Sequence, residues 1–153
     1  MCLSTPLTNK ERDKILGNIT KNGKRVFKVV RVIEGKYYPL FKYHDKPFEE
    51  GQMEAIPEKI LMDWYVGYKE YRAGFHFWIH RKDAQKVVEN IKSSQKRHKS
   101  ILLDQFKNNV EIKIITCIVK KSLINVMGID TTAGEQAKAI VAKKAIFPIF
   151  RGK

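Results

Sequence analysis

The sequence has few cysteines, few acidic residues and no long apolar run. Its two cysteines, Cys2 and Cys117, form no Cys-x-x-Cys pair, so neither a disulfide framework nor a cysteine-ligated zinc site is indicated. No stretch approaches the roughly 18 apolar residues of a transmembrane helix, and the N-terminus lacks the apolar segment of a signal peptide. These absences predict a cytoplasmic protein without a membrane partner.

Motifs for cofactors and metals are also missing. Neither Gly-x-Gly-x-x-Gly nor Gly-x-x-x-x-Gly-Lys-Ser/Thr occurs, so no cofactor is expected. His76 and His80 could share a metal on a helix, but the local alternation predicts a strand, in which four residues span about 13 Å. We therefore expect no metal site, and the sequence assigns no catalytic residue.

Positive charge is what the sequence has in excess. The 153 residues hold 30 Lys and Arg against 16 Asp and Glu, a net charge of +14. Residues 51–80 are close to neutral, whereas residues 81–100 carry seven Lys or Arg and two acidic residues. Charge at this density attracts a polyanion from a distance, and release of its counterions favours the complex.

Hydrophobic periodicity predicts a single small α+β domain over residues 1–153, with a mixed or antiparallel sheet and two or three helices. Helices are expected at 9–19 and 83–94. Strands are expected at 25–33, 37–44, 74–80, 110–120, 123–128 and 139–142. Residues 45–58 are predicted to be irregular, and 67–73 to form a loop.

The predicted strand at 74–80 alternates strictly between two faces. Its apolar residues Phe75, Phe77 and Ile79 should face the core, which places Trp78 on the opposite face. Two interpretations of Trp78 remain open. A neighbouring segment covers the indole, or it stacks on a nucleic-acid base while Arg81 and Lys82 hold phosphate.

The basic segment supplies the other candidate contacts. The residues predicted to bind nucleic acid are Trp78, Arg81, Lys82, Lys86, Lys92, Lys96, Arg97 and Lys99. An ordinary solvated helix face, with Glu89 paired to neighbouring lysines, is the alternative interpretation.

Short segments spread over the chain carry a resemblance. They are Met1-Cys2-Leu3, 26–30, 37–41, 73–77, 82–84, 115–119 and 139–144. In this order they resemble small uncharacterised proteins of phages and their bacterial hosts. More remotely, an arginine on an early strand and a Gly-Phe-His segment before a helix are similar to an ADP-ribosyltransferase core. That resemblance implies an NAD site at Arg31, Gly74, Phe75 and His76.

Together these observations favour a non-enzymatic, phage-like accessory protein that binds nucleic acid or a nucleoprotein complex. Two alternatives remain open: an NAD-handling enzyme related to ADP-ribosyltransferases, and an inhibitor of an acidic host protein, for example one with a defence role. The sequence assigns no oligomeric state.

Overall fold

A computed structural model describes residues 3–40, 47–49, 51–54, 61–63, 70–72, 74–97, 111–134 and 136–148. For residues 52–54, 61–63, 70–72 and 94–97 it describes the backbone alone. These parts form two α-helices, a nine-stranded sheet and a separate two-stranded sheet, with all strand pairs antiparallel, which confirms the predicted α+β class. Neither helix has the length and apolar character needed to cross a membrane.

The elements follow one another along the chain in an order close to the predicted one. They are β1 (Thr5–Pro6), α1 (Asn9–Gly17), β2 (Lys24–Ile33), β3 (Lys36–Pro39), β4 (Gly51–Glu54), β5 (Leu61–Asp63), β6 (Glu70–Arg72), β7 (Phe75–Trp78), α2 (Arg81–Arg97), β8 (Glu111–Val119), β9 (Ile124–Ile129), β10 (Lys138–Ala142) and β11 (Lys144–Phe147). Short 3-10 turns at Lys121–Leu123 and Thr131–Ala133 flank β9.

Four strands differ from the predictions, and the first of them is β1, which lies where no strand was expected. Strand β6 lies within the segment 67–73 that was expected to be a loop, and β4 lies within the segment expected to be irregular. Strand β11 forms from the terminal apolar run, which carries no clear alternation. All four are short. Strands β1, β4 and β11 pair with segments that are distant in the sequence, which local periodicity does not reveal, whereas β6 pairs with the nearby β5.

Strand β2 is the centre of the sheet. It pairs with β8 along its whole length, from Lys24 opposite Val119 to Val32 opposite Glu111. On its other side β2 pairs with β7 at Phe27 opposite Trp78, and further along with β3 from Val30 onward. Strands β7 and β3 therefore share one edge of β2 and diverge from each other along it.

The sheet rolls up on itself. Strands β10 and β11 are separated by Lys143 alone, yet the path between them through the sheet crosses β7, β2 and β8. In a flat sheet those four pairings would place β10 and β11 about 19 Å apart. One intervening residue spans only about 7 Å, so the sheet must curl until the end of β10 meets the start of β11.

Curling gives the sheet an inner and an outer apolar face. Helix α2 packs on the face that carries Val29 and Trp78, so this face is the outside. The opposite face carries Val26, Phe77 and Cys117, which belong to a separate buried cluster inside the curl. Both faces of the central strands are therefore buried, one by the curled sheet and the other by α2.

Helix α1 is held by a local cap and by a contact with the sheet. The Thr8 hydroxyl accepts a hydrogen bond from the Glu11 amide at 3.2 Å and donates one to Glu11 Oε1 at 2.9 Å. Glu11 Oε2 also lies 3.1 Å from Lys138 Nζ on β10. The Lys138 ammonium group, followed by the Thr8 hydroxyl, lowers the pKa of Glu11.

Candidate nucleic-acid interface

Helix α2 has a buried side and a charged side. Ala84 and Val87 are buried against the outer face of the sheet, with Val88 and Ile91 partly buried beside them. Their spacing of three and four residues is that of one helix face. The predicted amphipathic helix is therefore present, and it extends beyond the predicted limits to Arg81 and Arg97.

The exposed part of α2 carries a surplus of cations. Arg81, Lys82, Lys86 and Lys92 are all exposed. Within 81–93, the part of α2 whose side chains the structure describes, Glu89 is the one exposed carboxylate, because Asp83 is buried. We call these four cations the α2 face.

The spacing of the cations on the α2 face does not stabilise the helix itself. Lys82 and Lys86 are four residues apart, and like charges at this spacing destabilise a helix by a few tenths of a kcal/mol. Glu89 lies three residues from both Lys86 and Lys92 and compensates part of this repulsion. The arrangement still leaves a net positive surface available to a partner.

Three predicted contact residues receive a partial description or none. Lys96 and Arg97 form the last two residues of α2, and the structure describes their backbone as helical. Lys99 lies outside the described residues.

The prediction that Trp78 stacks on a base requires correction. The Trp78 side chain is 2% exposed and belongs to the outer apolar cluster beneath α2. The helix follows β7 after two residues and folds back over this face, so the indole becomes part of the core. The interpretation in which a neighbouring segment covers Trp78 is the one that agrees with the structure.

Arg81 links the α2 face to the sheet. Its guanidinium carbon lies 5.8 Å from the centre of the Phe27 ring, within the range of a cation–π contact. Phe27 is half-buried and lies opposite Trp78 in the β2–β7 pairing. The contact holds the first turn of α2 close to the beginning of β2.

Comparison with protein-family models, curated proteins and solved structures finds no match for this chain. The chemistry of the surface is therefore inferred from its own residues.

Arg31, proposed from the remote resemblance to hold NAD, already has internal partners. It is buried on β2, where its Nε donates a hydrogen bond to the Pro39 carbonyl at 2.7 Å. Its guanidinium also lies 6.0 Å from the Tyr38 ring. These contacts attach the β3 hairpin strand to β2 and give Arg31 a structural role.

The Gly74-Phe75-His76 segment likewise has contacts that explain its residues structurally. An added Cβ on Gly74 would lie 2.5 Å from the Ala142 carbonyl oxygen, so only glycine allows this approach to β10. Phe75 faces the inside of the sheet, 5.2 Å from the Phe147 ring. Burial, followed by the charge of Lys28, lowers the pKa of His76 to about 3, so its imidazole is neutral at physiological pH.

Lys28 is a feature that the sequence reading missed. It alternates with Val26 and Val30 and therefore points to the inside of the curled sheet. Its ammonium group lies 5.3 Å from the Phe77 ring and 5.7 Å from the Phe48 ring. Burial lowers the pKa of Lys28 to about 8. Its position between two inward-facing valines on a strand was the available signal.

No group of three or more His, Cys, Asp or Glu side chains suited to a metal ion occurs in the described parts of the chain. The exposed His80 follows β7, whereas His76 lies within it with a lowered pKa.

Proposed function

We propose that the protein binds nucleic acid, alone or within a nucleoprotein complex, through the α2 face, and that it acts as a non-enzymatic accessory protein. The observation that supports this function is the net positive charge of the α2 face. Four exposed cations lie along α2, with one exposed carboxylate among them. The apolar side of the helix is fixed to the sheet.

A rigid helix is a suitable carrier for phosphate contacts. Its buried side fixes the orientation of the charged side, so less conformational entropy is lost when the cations meet a polyanion. Neutralising several phosphates releases condensed counterions, which makes the binding strongly dependent on salt. The charge of the whole chain, +14, adds long-range attraction.

The test is a salt titration of nucleic-acid binding between about 50 and 200 mM salt. A triple variant, Lys82→Gln, Lys86→Gln and Lys92→Gln, removes three cations from the α2 face. We expect weaker binding to all sequences and a logarithmic salt slope that is smaller by about 2 to 3.

The matched control removes the same charge elsewhere. Lys10 and Lys14 on α1 and Lys36 on β3 are exposed, and the triple change of these to Gln also lowers the net charge by three. Equal loss of affinity in the two triple variants would attribute the binding to net charge and reject the α2 face as a site.

The two alternatives predict different results in separate measurements. An inhibitor of an acidic host protein would bind that protein tightly and nucleic acid weakly. An NAD-handling enzyme would be stabilised by NAD in a thermal-shift measurement, since a ligand of the folded state raises its melting temperature. The internal contacts of Arg31 and Gly74 do not favour this second alternative.

A further inference from the structure

A second group of cations lies at the end of the sheet where β2 begins and β8 ends. We call it the strand-end cluster; its members are Lys21, Lys24, Arg25, Lys120 and Lys121. The pairing of Lys24 with Val119 brings the two segments together, although almost a hundred residues separate them in the sequence. Lys120 and Lys121 follow Val119 directly.

A glycine turn makes this juxtaposition possible. Gly23 has a φ of +93°, and an added Cβ would lie 2.8 Å from Ile118 and 2.9 Å from the Val119 carbonyl oxygen. The turn from Thr20 to Gly23, closed by a hydrogen bond of 3.0 Å, therefore packs directly on the end of β8. It places Lys21 and Lys24 next to the pair of lysines that follows β8.

The strand-end cluster has no internal neutralisation. No Asp or Glu occurs between Asp13 and Glu34, or between Glu111 and Asp130, so both contributing segments are free of acidic residues. Lys24 is half-buried and the other four cations are exposed, and none forms an ion pair within the described parts of the chain. Gathering like charges opposes folding, so an external anion is the chemical complement of this surface.

The cluster adjoins the α2 face on the outside of the sheet. Arg25 lies two residues before Phe27 and so points to the same face of β2, where the Arg81 guanidinium covers the Phe27 ring. From Arg81 to Lys92, α2 adds about 16 Å to this surface. Through Arg25 the strand-end cluster adjoins the α2 face, and we call the combined surface the track; Lys24 alternates with Arg25 and shares the inner face with Val26, at the end of the sheet.

The chemistry of the track indicates which form of nucleic acid it fits. Proteins that bind single strands combine cations with aromatic side chains on which bases stack. Here Trp78 is buried and Phe27 lies under Arg81, so the described part of the track offers cations without a stacking platform. Contacts to phosphate alone suit a double helix, whose bases are stacked on one another and whose phosphates are outermost.

We propose that the strand-end cluster is a second phosphate-binding surface, and that together with the α2 face it holds the backbone of double-stranded nucleic acid. The choice of a duplex rests on the proposed function, whereas the cluster itself is a separate surface with its own test.

The experiment compares three triple variants at equal net charge. The cluster variant is Arg25→Gln, Lys120→Gln and Lys121→Gln; the others are the α2 variant (Lys82, Lys86 and Lys92 to Gln) and the control (Lys10, Lys14 and Lys36 to Gln). The probes are a DNA duplex of about 16 base pairs, the RNA duplex of the same sequence, and the DNA single strand. We expect the cluster and α2 variants to lose about tenfold or more in duplex affinity relative to the control, each with a flatter salt slope. The unmodified protein should prefer a duplex to the single strand.

The outcomes separate the two proposals. A cluster variant that binds like the control, beside a weakened α2 variant, would overturn the second surface and leave the proposed function intact. If both variants bind like the control, both proposals fail. Preference for the single strand would overturn the assignment of a duplex. A charge-preserving variant, Lys120→Arg with Lys121→Arg, should bind like the unmodified protein, and a loss of binding there would contradict a role based on charge.

Discussion

The ammonium group of Lys28 donates a hydrogen bond to the main-chain carbonyl of His76 at 2.9 Å, at the place where β2 and β7 separate. The two strands pair at Phe27 and Trp78, and further along β3 takes over the same edge of β2 from Val30 onward. The lysine side chain thus satisfies a carbonyl group at the fork between two strands. The Lys28 side chain lies beside an apolar cluster, and this environment disfavours the charged form of its amino group.

Stability should therefore rise with pH through the titration of Lys28. Burial lowers its pKa from 10.5 to about 8 in the folded state, so between these values the unfolded chain binds more protons. The free energy of unfolding then increases with pH from about 8 to 10.5, by at most about 3 kcal/mol. The side chain is only partly buried, so solvent should reduce this gain. Denaturant unfolding at a series of pH values measures it.

The variant Lys28→Met isolates this contribution from other groups that titrate in the same range. Methionine keeps the length and apolar stem of the side chain but cannot titrate. The difference in unfolding free energy between the unmodified protein and the variant should grow in favour of the unmodified protein as the pH rises. If the free energy of unfolding of the two proteins changed in parallel with pH, a lowered pKa of Lys28 in the folded state would be contradicted.

Gly74 should be one of the least replaceable glycines in the described chain. In Gly74→Ala the new Cβ would meet the Ala142 carbonyl oxygen at 2.5 Å, which forces β7 and β10 apart. We expect a loss of about 1 to 3 kcal/mol in the free energy of unfolding. Gly17→Ala is the control, since its Cβ would have no neighbour within 4 Å at the end of α1, and it should be neutral or slightly stabilising. Equal melting temperatures for the two variants would disprove the close approach of Gly74 to the Ala142 carbonyl oxygen.

Cys117 should be chemically inert in the folded protein. It is fully buried, and burial raises its pKa to about 12, so very little reactive thiolate is present. In a Cys2→Ser variant, alkylation of Cys117 should be at least about 100-fold slower under native conditions than in denaturant, because it requires opening of the structure. Mass spectrometry after timed alkylation measures both rates, and comparable rates would show that the thiol is accessible.

The Trp78→Phe variant should lose stability but keep its affinity for nucleic acid. Replacing the buried indole leaves unfilled volume beneath α2, and we expect a loss of about 1 to 3 kcal/mol in stability. Nucleic-acid affinity at a temperature where the variant is folded should equal that of the unmodified protein. A selective loss of single-strand affinity, with stability unchanged, would restore Trp78 as a stacking residue.

The central strands and both helices could be predicted because their signals are local. Val and Ile are dense in β2 and β8 because both faces of these strands are buried, and the apolar residues three and four apart in α2 follow from burial of one helix face. Trp78 could not be assigned to the core, because alternation separates two faces without saying whether the second is also covered. The strand-end cluster could not be predicted from the sequence either, since the pairing of Lys24 with Val119 joins segments that are distant in the chain.

The continuous segment formed by β10 and β11 also sets the order in which the fold can be completed. It supplies the neighbours of β7 and β9 through its first half, and those of β8 and β4 through its second. During synthesis the ribosome makes β7 and β8 before this segment, so the edges at which they pair with β10 and β11 stay unpaired until residues 138–147 have emerged. Closure should therefore follow translation of residues 138–147, and a nascent chain that stalls earlier would expose strand edges that are prone to aggregation.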